Sequence, residues 1–519
     1  MQRRNIALVV GFVALLALVG LGGVAQAQST YYWDTTAGSM IGGSGTWSTT
    51  AYNWSSSTGG SNPLLVWAPG NNAEFTTGSG TVTLDPANPL SVGSLTVDNG
   101  TNYTFSSGTI QAGYVNVSGT SSYTIGGLLS TTNASNGINV ASNGVFNATF
   151  SGGTISNAAG NGLYAYSGGI VNLTVPSAGG TIVGNLQSNL VATINANFSG
   201  GGVLKVSSLT DYGADTWSLN GAGQLNDAGG FNINGKPLTL SVSGGASLVT
   251  AGAITANAGA TVNATLNGGT IQSSGNALNV SGGTANVTFN TPTDLLYASS
   301  GINVTSTGVF TANLSGGTVY AGGSNGIYTQ ASSAIANFNV GSAGGAITSS
   351  LVTNFGGQFN VGFTGSGGVL NLSGNMINYA SAPWSLSGSG TLNAAGQLSV
   401  QGGVATVSVS GGATLVANNT VTVNSGCGIN ATLTSGTIQT TYVSNSGTSS
   451  FTLNSGGLLS TTNASNGINV GSGVFNANFN GGTISTAAGN GLYAYGSGTA
   501  NISVSSGMSQ LLLKLTLAS

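Results

Sequence analysis

Short runs along this chain alternate apolar with small polar residues. "VFNATF" at 145–150, "IVNLTV" at 170–175 and "VNATL" at 262–266 each place an apolar residue at every second position, with Asn or Thr between. A period of two is the pattern of a strand with one buried face. Gly, Ser and Asn pairs interrupt the runs every 8 or 9 residues and read as turns. Beyond residue 27 no stretch carries a helical period, so the pattern predicts an all-β chain of many short strands.

The strands recur in a nested order. "GGTI" begins at Gly152 and again at Gly179, and "GIN" at 137 is followed by "GLY" at 162, which sets a fine period of about 25 residues. Above it lies a long period. "GINV" occurs at 137, 301 and 467, Tyr164, Tyr328 and Tyr493 stand in register, Trp217 in "WSLNG" matches Trp384 in "WSLSG", and "SVSGGA" starts at 241 and 408. These spacings run from 164 to 167 residues, giving two long copies and part of a third. "GGTISNAAGNGLYAY" at 152–166 returns with one change at 481–495.

Three short strands in about 25 residues, repeated throughout, predict a chain that turns a corner after each strand and stacks on itself as a β-solenoid. One coil cannot bury its apolar face alone, whereas stacked coils build a continuous core. About 20 coils at ~4.8 Å would make a rod of about 100 Å. A β-propeller or a string of sandwiches is the rival, but propeller blades need longer and more even units. On this reading Phe146, Phe310 and Phe475 point inward, as do Ile155 and Leu163. Gly152 and Gly153 make a corner that a Cβ would obstruct, and Asn161–Gly162 makes a tight turn.

The first residues suggest export. Arg3 and Arg4 precede an apolar run from Ile6 to Val24, and "AQA" at 25–27 predicts cleavage after Ala27. The run is long enough to span a bilayer, so an uncleaved anchor is the competing reading. No later segment is apolar enough to cross, so no transmembrane segment is expected after cleavage. Three lysines then remain, Lys205, Lys236 and Lys514, against eight acids, with no His anywhere. Nucleic acid is not an expected partner, because binding it requires many phosphate-neutralising cations. The single thiol, Cys427, can form no disulfide within the chain and has no His to activate it, so it reads as a small apolar filler.

The segment from Tyr31 to about Gly108 differs from the rest and holds four of the six tryptophans. A Trp33–Asp34 start, Trp47 in "GTW", Trp54 in "NW", Trp67, Ala73 and Phe75 in "WAPGNNAEF", then "TVTL" at 81–84, resemble the beginning of secreted bacterial proteins with autotransporter-associated β-strand repeats. The resemblance covers about 70 residues closely and the remainder only as a passenger-like, Gly/Ser/Thr/Asn-rich solenoid. It implies an exported right-handed parallel β-helix of pectin-lyase-like fold at or beyond the cell surface. The C-terminus "MSQLLLKLTLAS" departs from a complete autotransporter, with no run of amphipathic strands for a membrane barrel.

Parallel β-helices include polysaccharide lyases and hydrolases, which need clustered carboxylates with basic partners. Here the only concentration of charge runs from Lys205 to Lys236 and contains Asp211, Asp215 and Asp227. Aligning the internal copies on Trp217 and Trp384 sets Asp211 against Asn378, Asp215 against Ala382 and Asp227 against Ala394. A fold unit kept while its charges are lost reads as a solvated surface cluster, so no catalytic, cofactor or metal residue is expected. Calcium-binding repeats lack their acids, and T-x-T rows for ice do not recur coil after coil. The four N-terminal tryptophans either stack on sugars or close the exposed end of the solenoid, and closure is favoured.

The resulting expectation is a signal peptide at 1–27, a Trp-rich cap with first coils at 28–107, a β-solenoid at 108–506 and a tail at 507–519. The function expected is structural and adhesin-like, secreted or on the cell surface, without catalysis. The partners expected are extracellular glycans or cell-envelope components. A carbohydrate-active enzyme using Asp211 and Asp215, or a sugar-binding module built on the tryptophans, are the alternatives.

Overall fold

A computed structural model describes residues 28–39, 42–106, 108–275, 277–324, 326–349, 351–487, 489–505 and 515–517. The expected signal peptide, 1–27, lies outside the described residues, as does most of the expected tail. Every regular element among the described residues is a strand, and they form a parallel β-solenoid with about three strands per coil.

One coil shows the construction. Val145–Phe150 forms the first face. The chain turns at 151–153, and a single long strand, Thr154–Tyr166, then bends round a corner to supply the second and third faces. The next coil repeats this with Ile170–Val175 and Gly180–Asn189. Strands stack in register, Val145 on Ile170, Phe146 on Val171 and Asn147 on Asn172. Among the described residues the first face is a stack of 20 strands, about 90 Å long at ~4.8 Å per strand.

Alternation decides what faces inward. Phe146, Phe310, Phe475, Ile155 and Leu163 all have 0% exposure, as the period of two predicts. Between them, Asn side chains form ladders on the outside. Asn172 donates from Nδ2 to Asn147 Oδ1 at 2.8 Å, and Asn195 to Asn172 at 2.9 Å. In a parallel in-register stack each amide meets its copy one coil away, the arrangement that makes such ladders self-satisfying.

At the first corner, Gly152 has φ +91° and a Cβ on Gly153 would lie 2.5 Å from the carbonyl oxygens of Ile125 and Gly127. Only glycine permits that approach. Asn161–Gly162, expected as a tight turn, instead lies inside the long strand, where the register shifts between Ser156, Asn161 and Leu163. Asn161 donates to Asn136 Oδ1 at 2.7 Å, so the extra residues are absorbed as a bulged corner.

The long copies correspond to seven coils, but the faces keep register differently. On the third face Leu163 leads through Leu186, Leu209, Phe231, Ile254, Leu278 and Ile302 to Ile327, its counterpart by sequence. On the first face Phe146 leads through Val171, Ile194, Trp217, Leu240, Ala264 and Val287 to Ala312, two residues past Phe310. A slip of two keeps inward residues inward, whereas a slip of one would turn the face inside out.

The N-terminal end departs from the parallel pattern. Thr30–Trp33 pairs antiparallel with Tyr52–Ser55, which pairs antiparallel with Leu65–Val66. Thr30–Trp33 also joins the solenoid in parallel through Asn72–Phe75. At the other end Leu515–Leu517, within the expected tail, continues the third face on Leu492–Ala494.

Candidate functional site

The acid cluster read as solvated is buried. Asp211 and Asp227 have 0% exposure and Asp215 has 1%. The reason is the strand period: Gly202–Asp211 turns Leu209 and Asp211 to the same inward side. Asp211 Oδ1 accepts from Ser188 Oγ at 2.9 Å, and Ser188 accepts from Trp217 Nε1 at 2.8 Å. Asp215 Oδ1 accepts from the Ala192 N–H at 2.8 Å.

The carboxyls of Asp211 and Asp215 are also hydrogen-bonding neighbours, yet the Oδ2 of each lacks a donor. Two carboxylates cannot donate to each other, so a proton retained on Asp211 supplies the donor for the contact between them. Burial first, then Asp215, pushes Asp211 up to about 8. Asp227 is pushed up to about 6 by burial, against the lowering effect of the Gly229 N–H at 2.9 Å. The second copy fits this picture. Asn378, opposite Asp211, is buried at 0%, as is Ala394, opposite Asp227, and Ala382 opposite Asp215 has 3% exposure. The charges are dispensable there because these positions are interior, where neutral groups are favoured.

Lys205 and Lys236 are exposed while the three acids are buried, so the expected charge cluster is not assembled. Asp294 is buried by another route. It accepts from the N–H groups of Gly268, Gly269, Asn290 and Thr291 and from Thr291 Oγ1, at 2.6–3.2 Å, and so ties together turns of successive coils. Among the described residues no group of His, Cys, Asp and Glu could hold a metal ion. Inside the packed column, Asp211 and Asp215 are beyond the reach of a polysaccharide chain.

The tryptophans offer no open platform either. Trp33, Trp47, Trp54 and Trp67 have at most 1% exposure. Their rings pack on one another, with Trp54–Trp67 centroids at 4.7 Å and Trp47–Trp54 at 4.9 Å, and Trp33 stacks on Phe75 at 5.5 Å. With every ring face occupied, none is free to stack on a sugar.

The surface feature that stands out is on the third face. A groove of about 450 Å³ is lined by Thr255, Asn257, Asn279, Ser281, Asn303, Thr305, Tyr328 and Gln330. They form two outward lines over four coils: Thr255, Asn279, Asn303 and Tyr328 stack in register, with the other four two residues further along each strand. Asn303 Nδ2 donates to Asn279 Oδ1 at 3.0 Å, and Asn257 Nδ2 to Asn234 Oδ1 at 2.6 Å. Beyond Tyr328 an aromatic ridge continues. Phe355 meets Tyr328 edge-on at 5.0 Å and stacks on Tyr379 at 4.7 Å, with exposures of 37% for Phe355 and 39% for Tyr379.

The sequence set Tyr164, Tyr328 and Tyr493 in register without reading them as surface. Alternation contained the signal, since each follows an inward Leu or Ile. The groove itself was hidden, because its neighbours lie a coil apart along the chain.

The chain is similar, at 30% identity over 244 residues, to an adhesin, the BmaC autotransporter of Brucella suis biovar 1 (strain 1330). The match covers 42% of this chain and 7% of that protein's length. No family model matches the chain, and no solved structure matches it. Among the described residues no helix is long and apolar enough to cross a membrane. A repeat-built parallel solenoid that shares sequence with an autotransporter adhesin fits a passenger-like β-helix of the autotransporter kind.

Proposed function

We propose that this chain is a secreted or surface-exposed, adhesin-like structural β-helix without catalytic activity. The observation that carries this reading is the long parallel solenoid with outward ladders of neutral amides and hydroxyls, on a chain similar to an autotransporter adhesin. Its mechanism is presentation: a stiff column exposes many hydrogen-bonding groups in fixed rows, preorganised so that little entropy is lost when a partner is bound. The enzyme reading rested on Asp211 and Asp215, whose burial supports a structural role. Export through the segment 1–27 would bring the rod to the outside.

The test is adherence. Beads coated with the purified chain should bind cells or extracellular matrix more than beads coated with an unrelated soluble protein. Incubation with pectin, alginate and similar polymers should release no product. Equal bead binding would remove the adhesive reading, and product formation abolished by Asp211→Asn would restore the enzyme.

A further inference from the structure

We propose that the third face binds neutral glycan chains lying along the rod, with a subsite in the groove from Thr255 to Tyr328. This deepens the adhesive reading and rests on it. The first ground is chemical. The groove lining carries four primary amides, three aliphatic hydroxyls and one phenol, and no charged side chain. In the groove Asn303 spends one amide N–H on Asn279 Oδ1, and a primary amide has a second N–H and further lone pairs with which to meet a ligand. An adjacent donor and acceptor match the paired hydroxyls of a sugar ring. The coil repeat of ~4.8 Å is close to the length of one pyranose unit, so successive rungs can meet successive sugars.

The second ground is aromatic. Tyr328 closes the groove, and the exposed rings of Phe355 and Tyr379 continue past it. Because Phe355 and Tyr379 stack on each other, they offer a sugar their exposed apolar edges and the outer face of the stack, while the tyrosine hydroxyls stay wet.

The third ground is repetition. The line Asn279–Asn303–Tyr328 recurs in register as Asn116–Asn139–Tyr164, and in the third copy as Ser444–Asn469–Tyr493. In the first copy Asn139 again donates to Asn116, at 3.2 Å. The buried acids are lost between copies, but this outward line is kept on the one face that holds its register. Three lines seven coils apart, about 34 Å at ~4.8 Å per coil, can engage one long polymer together, which raises avidity without new contacts.

The experiment is binding of the purified chain to an array of neutral oligosaccharides of glucose, mannose and N-acetylglucosamine, with polygalacturonate and heparin as acidic comparators. Titration calorimetry follows on the best oligosaccharide. Neutral glycans should be retained, and Asn303→Ala combined with Tyr328→Ala should weaken oligosaccharide binding roughly tenfold or more. Asn286→Ala combined with Asn360→Ala, on the first face, should leave binding unchanged. Thermal melts of both variants check that the fold is kept. Absence of neutral glycan binding, preference for the acidic polymers, capture of protein ligands only, or binding indifferent to Asn303 and Tyr328 would each overturn the proposal. Bead adherence separates the two readings. Wild-type beads that adhere, with the groove variant adhering equally, would refute the glycan site and leave the adhesive reading standing.

Discussion

Replacing Asp211 with Asn should stabilise the rod at alkaline pH and leave it nearly unchanged in acid. Burial and the neighbouring Asp215 raise the Asp211 carboxyl from 3.8 to about 8. Between those values the folded chain holds a proton that the unfolded chain has released, so stability falls as pH rises. At 1.36 kcal/mol per unit, the loss accumulated by pH 7 is about 4 kcal/mol, felt by the coils around the Gly202–Asp211 strand. Asn carries its own N–H donors toward Asp215 and has no proton to lose. The molecule already tolerates it, since Asn378 occupies the equivalent buried place. Thermal melts followed by far-UV circular dichroism, with amide exchange in that strand, would read the effect. At about pH 8.5 the variant should melt several degrees above the wild type, and at about pH 4.5 the two should nearly coincide. Asp227 remains in both proteins and adds a shared loss between 3.8 and about 6. A wild type with flat stability from acid to alkaline pH, or a variant equally destabilised at both, would refute the retained-proton argument.

Three further outcomes follow from the packing. Phe146→Ala removes a ring packed 5.1 Å from Tyr123 and should cost about 3–5 kcal/mol locally, read as faster amide exchange in the coils on either side. Asp294→Ala strips the acceptor from four backbone N–H groups and one hydroxyl. It should cost about 3 kcal/mol or more and open the 290–294 turn to proteolysis, while an unchanged digestion pattern would contradict the clamp. Deleting residues 31–70 removes the antiparallel strands and their four buried tryptophans, which uncovers apolar core and unpaired strand edges. Light scattering should then show end-to-end association, and a variant that stayed monomeric would argue against a cap.

Local alternation made most of the fold legible. Phe146, Ile155 and Leu163 could be placed inward from their neighbours alone, and the coil length came from the spacing of Gly-rich corners. Asp211 was legible too, because Leu209 and Asp211 share a strand side, but the general rule that carboxylates stay in water pointed the other way. The period lost to that rule because it does not allow for a carboxyl kept protonated. Asp215 lies between strands, where alternation says nothing. The antiparallel pairing of Trp33 with Trp54 leaves no periodic trace. The groove could not be read directly, since Asn279, Asn303 and Tyr328 are about 24 residues apart and become neighbours only once coils are stacked.

The seven-coil copy has a consequence for size. Each coil meets the next through the same backbone ladder and the same inward column, and the third face returns to register after every copy. A duplicated copy therefore enters without requiring a new interface, and a lost one closes over cleanly. The distance between the two ends changes in fixed increments of about 34 Å, with one more Tyr-bearing line added at each increment. Reach and number of contact points are coupled by geometry, so a lineage of such chains can be tuned like a ruler, by counting units and not by redesigning them.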